Sequence, residues 1–184
     1  MLTVSFNPFP IITTGRLVLR QVEKSDVKEI FFLRSDSKVL EFLDRPPVTS
    51  KEEALLFIEK INELEKNNDG ITWAITLKPV NTLIGTICYW NMKKEHFRAE
   101  IGSALHPDWQ GRGIMQEAMI EVINFGFATM KLHSIEANVN PNNLSSIKLL
   151  ERNNFIREGY FKEDFLYNGK FLDSAIYSLL APRE

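Results

Sequence analysis

The sequence predicts an α/β (α+β) fold: a mixed, mostly antiparallel sheet of roughly six to seven strands with helices on both faces. Three observations predict it. Strand-like and helix-like runs follow one another in the order β-α-α-β-β-β-α-β-α-β-β. Three of the strand-like runs are consecutive and separated only by turn residues, as in an antiparallel meander. A long amphipathic helix then leads to a further strand, a crossover that places a parallel neighbour in the sheet. The 184 residues suit one domain, 44% hydrophobic and 25% charged, which excludes disordered, collagen-like and coiled-coil chains.

Residues 1–10 carry Pro8 and Pro10 and read as an N-terminal arm, with a single domain over residues 11–184. Residues 16–22 alternate apolar and polar, as a strand does. Ser25 is placed as the cap of a short helix to about Arg34, with Val27, Ile30 and Phe31 on one face. Pro46 and Pro47 mark a loop. Ser50-Lys-Glu-Glu53 is a capping box in front of a helix whose apolar positions are Ala54, Leu55, Ile58, Ile61 and Leu64, ended by Asn67-Asn68-Asp69-Gly70. Residues 71–77, 83–92 and 98–105 form the meander. A helix from Ile114 to about Met130 buries Met115, Ala118, Met119, Val122, Ile123 and Phe127. Residues 134–139 are a strand, and Pro141-Asn-Asn143 opens a helix to about Asn153. Two strands, 155–165 and 171–180, flank Asn168-Gly169, a strong hairpin signal. Phe31, Phe32, Trp73, Tyr89 and Trp90 are assigned to the core.

Lys and Arg total 22 against 24 Asp and Glu, a formal charge of −2. That balance excludes a protein built to coat nucleic acid or an anionic membrane. The single cysteine, Cys88, excludes an internal disulfide and a multi-cysteine zinc site, and His96, His106 and His133 lack metal-ligand spacing, so no metal is expected. No apolar run approaches the ~20 residues of a membrane span, and residues 1–10 do not read as a signal peptide. A cytoplasmic protein is the expectation.

The most informative segment is Gln110-Gly-Arg-Gly-Ile-Met115, between a strand and a long helix. Gly111 and Gly113 permit close backbone approach, and the first N–H groups of the helix have no internal partner. With the positive end of the helix dipole this makes an anion site, to which Arg112 adds charge. The alternative is a tight turn that merely requires glycine. A Walker A loop is absent. Gly111-x-Gly113 fits half of a dinucleotide fingerprint, with Glu136 as ribose acid, but Gln116 stands where the third glycine belongs.

Gln110-x-x-Gly113 ahead of a helix resembles the acyl-CoA motif of the GNAT N-acetyltransferases, although Met115 departs from it. The string from Ala99 to Ala118 is similar to the branch that acetylates N-termini of ribosomal proteins. So are Thr14-Gly-Arg-Leu-Val-Leu-Arg20, Val139-Asn-Pro-Asn-Asn-Leu-Ser-Ser146 and Leu150-Glu-Arg-Asn-Asn-Phe155. The resemblance runs from about residue 12 to 181.

The resemblance implies a V-shaped splay between the fourth and fifth strands, residues 98–105 and 134–139, with a bulge in the former. Acetyl-CoA would enter the V as co-substrate. Backbone groups of Leu105 and His106 would bind its arm and provide an oxyanion donor. Gln110, Gly111, Arg112, Gly113, Ile114 and Met115 would hold its pyrophosphate. Asn143 would bond its amide arm or cap the following helix, or both. Glu100 is the implied base. Serine replaces the usual tyrosine acid, which makes Ser146 the implied thiol donor. Asn154 replaces a helix-ending glycine. Ser103-Ala104 replaces a bulky aromatic pair, which leaves the acceptor open. Residues 31–43 and 91–97 are expected at the acceptor entrance. The implied activity is acetyl transfer to a primary amine, a protein N-terminus or a small molecule, by a monomer or homodimer. A non-catalytic acyl-CoA sensor and a nicotinamide-dependent redox enzyme are the competing readings.

Overall fold

The computed structural model describes residues 2–182. Eight strands form one sheet in the order β1-β2-β3-β4-β5-β6-β8-β7. They are β1 (Ile12–Thr13), β2 (Leu17–Gln21), β3 (Ile71–Leu77), β4 (Leu83–Lys93), β5 (Arg98–Leu105), β6 (Ser134–Val139), β7 (Ile156–Tyr167) and β8 (Lys170–Leu180). The extra strand beyond the expected seven is the two-residue β1 against β2. Every neighbouring pair is antiparallel except β5–β6. The helices are α1 (Val27–Ser35), α2 (Ser37–Leu40), α3 (Lys51–Lys66), α4 (Ile114–Ala128) and α5 (Leu144–Arg152).

The two faces of the sheet carry separate cores. Val22, Ile30, Leu33, Ala54, Ile58 and Ile61 close one core under α1 and α3. Trp73, Ile87, Tyr89, Ala118, Met119, Val122 and Leu150 belong to the other, beneath α4 and α5. Tyr89 anchors α4 by donating its hydroxyl to the Val122 carbonyl at 2.9 Å. A Cβ at Gly126 would collide with that hydroxyl, so the helix meets the sheet at a glycine. The arm is part of this second core: Leu2 and Phe6 are buried in it, and Leu2 N donates to the Lys94 carbonyl at 2.8 Å.

Local expectations hold in most places, with informative exceptions. Asn168 and Gly169 both take positive φ, 48° and 73°, as the tight hairpin requires. Asn154 has φ 64°, doing the work of the missing glycine. Ser50 accepts the Glu53 N–H at 3.3 Å, but the Glu53 carboxylate reaches Thr49 N at 2.6 Å, one residue short of the reciprocal bond. Ser25 does not cap α1. It lies in a 3₁₀ turn, Lys24–Asp26, that leads into the helix; Asp26 holds the N-cap position of α1, but its carboxylate accepts from Glu23 N at 2.9 Å and from Arg20 at 2.8 Å instead of bonding the helix. Trp90 is not core: it is 48% exposed.

Candidate active site

β5 and β6 are parallel neighbours over only three pairs, Arg98–Ser134, Ala99–Ile135 and Glu100–Glu136. Residues 101–105 and 137–139 have no partner across that line, so the two strands open into a V whose apex is Glu100. Arg98 clamps the closed end, donating to Glu136 Oε2 at 2.8 and 2.7 Å and to Ser134 Oγ at 3.0 Å. The expected bulge is not in β5. It lies on β4 between Trp90 and Lys93, where Asn91 takes φ 47°, and it brings the Asn91 amide to the Glu100 carboxylate at 3.3 Å.

Glu100 is 9% exposed. Burial raises its pKa above the ordinary carboxylate value, the Asn91 amide opposes that rise, and the nearby Glu136 charge adds to it. The backbone N–H of Asn138, on the splayed part of β6, also favours the charged form. Glu100 thus sits at the fork of the V with a proton affinity above that of an ordinary carboxylate, which suits a general base.

His106 N donates to the Ile84 carbonyl at 2.8 Å. By antiparallel alternation, Ser103 and Leu105 therefore turn their backbone groups to the open side of β5. The Leu105 carbonyl already accepts Gln110 Nε2 at 3.1 Å. The His106 ring stacks on Phe32 at 4.2 Å, facing an apolar cavity of about 730 Å³ beneath α1 rather than the V.

The mouth of the V opens into a cavity of about 520 Å³. Leu105, Gln110, Gly111, Gly113, Ile114, Met115, Asn143 and Ser146 border it; Glu100, His106 and Arg112 do not. Gly113 is the N-cap of α4 at φ 73° and supplies no side-chain cap, so the leading N–H groups of α4 remain free for an anion. Buried Ile114 roots the helix just behind them. Arg16 braces this loop, with Nη1 on the Arg112 carbonyl at 3.2 Å and Nε on Glu117 Oε2 at 2.7 Å. The Arg112 guanidinium lies 4.9 Å over the Trp109 ring. Gln116, the residue that spoils the dinucleotide fingerprint, exchanges amide hydrogen bonds of 3.0 and 3.2 Å with Asn153, tying the start of α4 to the end of α5. Asn143 caps α5 by accepting the Ser146 N–H at 3.1 Å, which leaves its amide nitrogen free. Ser146 borders the cavity in the first turn of α5.

The cradle fits acetyl-CoA: free helix N–H groups and two glycines for its pyrophosphate, an unpaired strand edge for its amide arm. It does not fit the nicotinamide reading, because Glu136 is held by Arg98 at the closed end of the V. The opposite wall of the cavity, Lys38, Val39, Glu41, Phe42 and Leu43, falls within the segment expected at the acceptor entrance. Arg34 and Arg45 in that same region escaped sequence reading, since nothing local marks them. No helix among the described residues is long and apolar enough to cross a membrane.

Comparison with known proteins agrees with this geometry. Residues 16–156 match the family described as acetyltransferase (GNAT) domain. The uncharacterised N-acetyltransferase YoaA of Bacillus subtilis is 34% identical, over 96% of this chain and 99% of its own length. The ribosomal protein uS5-alanine N-acetyltransferase of Escherichia coli is 28% identical, over 93% and 91%. The fold matches that of the ribosomal α-N-protein acetyltransferase RimL in complex with coenzyme A, with a TM-score of 0.86 and 23% identity over 94% of this chain and 98% of that one. The chain belongs to the GNAT acetyltransferase family and is an acetyl-transferring enzyme.

Proposed function

We propose that the enzyme moves the acetyl group of acetyl-CoA to a primary amine by direct attack, with Glu100 as base and Ser146 as hydrogen-bond donor to the departing thiol. The observation that carries this reading is one arrangement: a strand edge opened beside β6, a free helix N-terminus at its mouth and a buried carboxylate at its apex. Bound acetyl-CoA supplies an activated acetyl group whose thiol, of pKa near 8.5, leaves readily.

The chain's own residues do the rest. Gly111 to Met115 hold the pyrophosphate end on backbone N–H groups. Leu105 N–H and the Ser103 backbone face the arm of the co-substrate, and Asn143 offers it an amide hydrogen. Glu100 accepts the ammonium proton of the acceptor, directly or through water. For an α-amine of pKa about 7.7–8.0 that step is nearly free at neutral pH; for a lysine amine near 10.4 it costs ~4 kcal/mol. A buried but weak base therefore suits an N-terminal α-amine, the acceptor class of the ribosomal relative, or a small amine of low pKa. Ser146 gives a hydrogen bond rather than a full proton, enough for a good leaving group.

In this reading the enzyme is cytoplasmic. The β7–β8 hairpin leaves Phe161, Phe165, Leu166 and Phe171 exposed, and a homodimer would cover them. Sedimentation tests the dimer. Release of coenzyme A thiol on mixing the protein, acetyl-CoA and peptides with free α-amines tests the activity: release that stops when the α-amine is blocked supports it, and release insensitive to the amine refutes it.

A further inference from the structure

Between Trp90 and Lys93 the β4 strand carries one residue too many. Trp90 pairs with Glu100 and Lys93 with Arg98, so Asn91 and Met92 together oppose Ala99 alone. A bulge of this kind re-aims a side chain. Along a regular β4, residue 91 would share the face of Tyr89, which is buried in the core beneath α4, and would turn away from Trp90 and Glu100. The bulge reverses that. Asn91 takes φ 47°, and its Nδ2 donates to Glu100 Oε2 at 3.3 Å.

The residue type is determined twice. A φ of 47° lies in the left-handed region, where Gly is free and Asn and Asp are the best tolerated side chains. Of these three, only Asn brings a hydrogen-bond donor. Gly offers the carboxylate nothing, and Asp would set a like charge against it. The backbone accounts for any of the three; the contact with Glu100 singles out Asn. Asn91 is exposed and belongs to neither core, so its side chain is not there to fill the interior.

The carboxylate it touches is held differently from the carboxylate that serves the fold. Buried Asp26 has the Arg20 guanidinium at 2.8 Å. Glu100, also buried, has no ion-pair partner among the described residues. The nearby cations are engaged elsewhere: Arg98 lies on Glu136 at 2.7 Å, and Lys93 approaches the same oxygen at 3.9 Å. Cys88, on the same face of β4, carries a thiol whose pKa burial pushes up to about 11, so it is neutral. The donors left to Glu100 are the Asn91 amide from β4 and the Asn138 backbone N–H from β6, both uncharged. A carboxylate accepts at both oxygens through several lone pairs, and two donors do not fill it.

Resting on the reading of Glu100 as base, we propose that Asn91 is a positioning residue for that base: the β4 bulge presents a neutral donor that orients the Glu100 carboxylate at the fork of the V without the counter-charge that would stop it from taking a proton. The contact also sets when the base is available. A hydrogen bond to the carboxylate favours its ionised form, so loss of the amide leaves burial and the Glu136 charge less opposed and lifts the Glu100 pKa further.

The test compares the wild type with Asn91→Gly, which keeps the left-handed backbone and removes only the donor, and with Asn91→Asp, which keeps the shape and adds a charge. The Glu100 carboxyl is titrated by NMR in protein labelled with carbon-13 glutamate and free of acetyl-CoA, its signal assigned by its loss in Glu100→Gln. The midpoint should rise by about one pH unit in Asn91→Gly, as expected for one long hydrogen bond to a charged group, and further in Asn91→Asp. In the thiol-release assay the acid limb of kcat against pH should move up by the same amounts, with most of the wild-type rate returning in Asn91→Gly above the limb. The Kd for acetyl-CoA, read by calorimetry, stays unchanged. A Glu100 midpoint identical in the wild type and Asn91→Gly, a midpoint no higher in Asn91→Asp than in the wild type, or a loss of acetyl-CoA affinity as large as the loss of rate overturns the proposal. An acid limb that persists in Glu100→Gln strikes the reading of Glu100 as base instead, and the carboxyl titration still decides whether Asn91 holds it.

Discussion

The two sides of the V are built on opposite plans. On the α4 side the polar side chains are already matched: Gln110 to the Leu105 carbonyl, Gln116 to Asn153, Asn143 to Ser146 N, Arg16 to Glu117. The groups left free there are backbone N–H donors at the helix start and the Asn143 amide nitrogen. On the other side, the Nε atoms of Arg34 and Arg45 have no hydrogen-bond partner, Trp90 is half open, and Glu100 is held by the Asn91 amide at 3.3 Å and by the Asn138 backbone. One side is a finished receptor made of main chain, suited to a ligand common to a whole family. The other is a set of side chains whose hydrogen-bonding capacity is not filled within the chain.

The difference predicts how each side fails. Gly113→Val forces a β-branched residue into φ 73° and should be the most damaging change. Strain of about 3 kcal/mol at the α4 cap should weaken acetyl-CoA binding about a hundredfold or more, read by calorimetry on the folded variant. Next comes Glu100→Gln, expected to lower kcat about a hundredfold with the Kd for acetyl-CoA unchanged, read in the thiol-release assay.

The pH dependence follows from the raised pKa of Glu100. Its carboxylate works as base only when ionised, so wild-type activity falls as pH drops through a value above the ordinary carboxylate range, and that limb disappears in Glu100→Gln. Stability runs the other way. A folded-state pKa above the unfolded one favours folding fully below the unfolded pKa and loses that contribution as pH rises through the folded pKa. Glu100→Gln should therefore gain Tm relative to wild type at neutral pH and lose the gain in acid.

Gln116→Ala tests the matched side. It leaves the Asn153 amide partly unsatisfied, since Asn153 Nδ2 keeps only its bond to the Leu149 carbonyl at 2.8 Å. The expected loss is about 1–2 kcal/mol in urea denaturation. Arg45→Gln tests the unmatched side with the opposite sign. Removing a partly buried charge whose pKa burial lowers should raise stability by about 1 kcal/mol. A destabilised Arg45→Gln would mean that the guanidinium serves the fold.

The same contrast explains what could be read from the chain beforehand. The α4 side is local: Gln110 to Met115, the α4 face and Asn143 lie in short contiguous stretches whose periodicity and turn chemistry point to one structure. Asn154 and Asn168-Gly169 were readable for the same reason, because a positive φ is a single-residue property. The acceptor side is not local. The loop carrying Arg45 meets α1 only on folding, where Val48 N bonds the Arg34 carbonyl. Trp90 reads as core because its strand does; only the folded sheet shows that burial ends at Tyr89. The β4 bulge escaped notice because Asn91 belongs to an unbroken strand-like run, and its φ of 47° is imposed by pairing with β5.

The most direct measurement is a calorimetric titration of acetyl-CoA into the wild type and into Gly113→Val, with NADH as control. Saturable one-site binding to the wild type, lost in the variant and absent with NADH, is the predicted result. No binding to the wild type, or equal binding to both proteins, would contradict the assignment of the α4 N-terminus and the β5–β6 gap as the acetyl-CoA site.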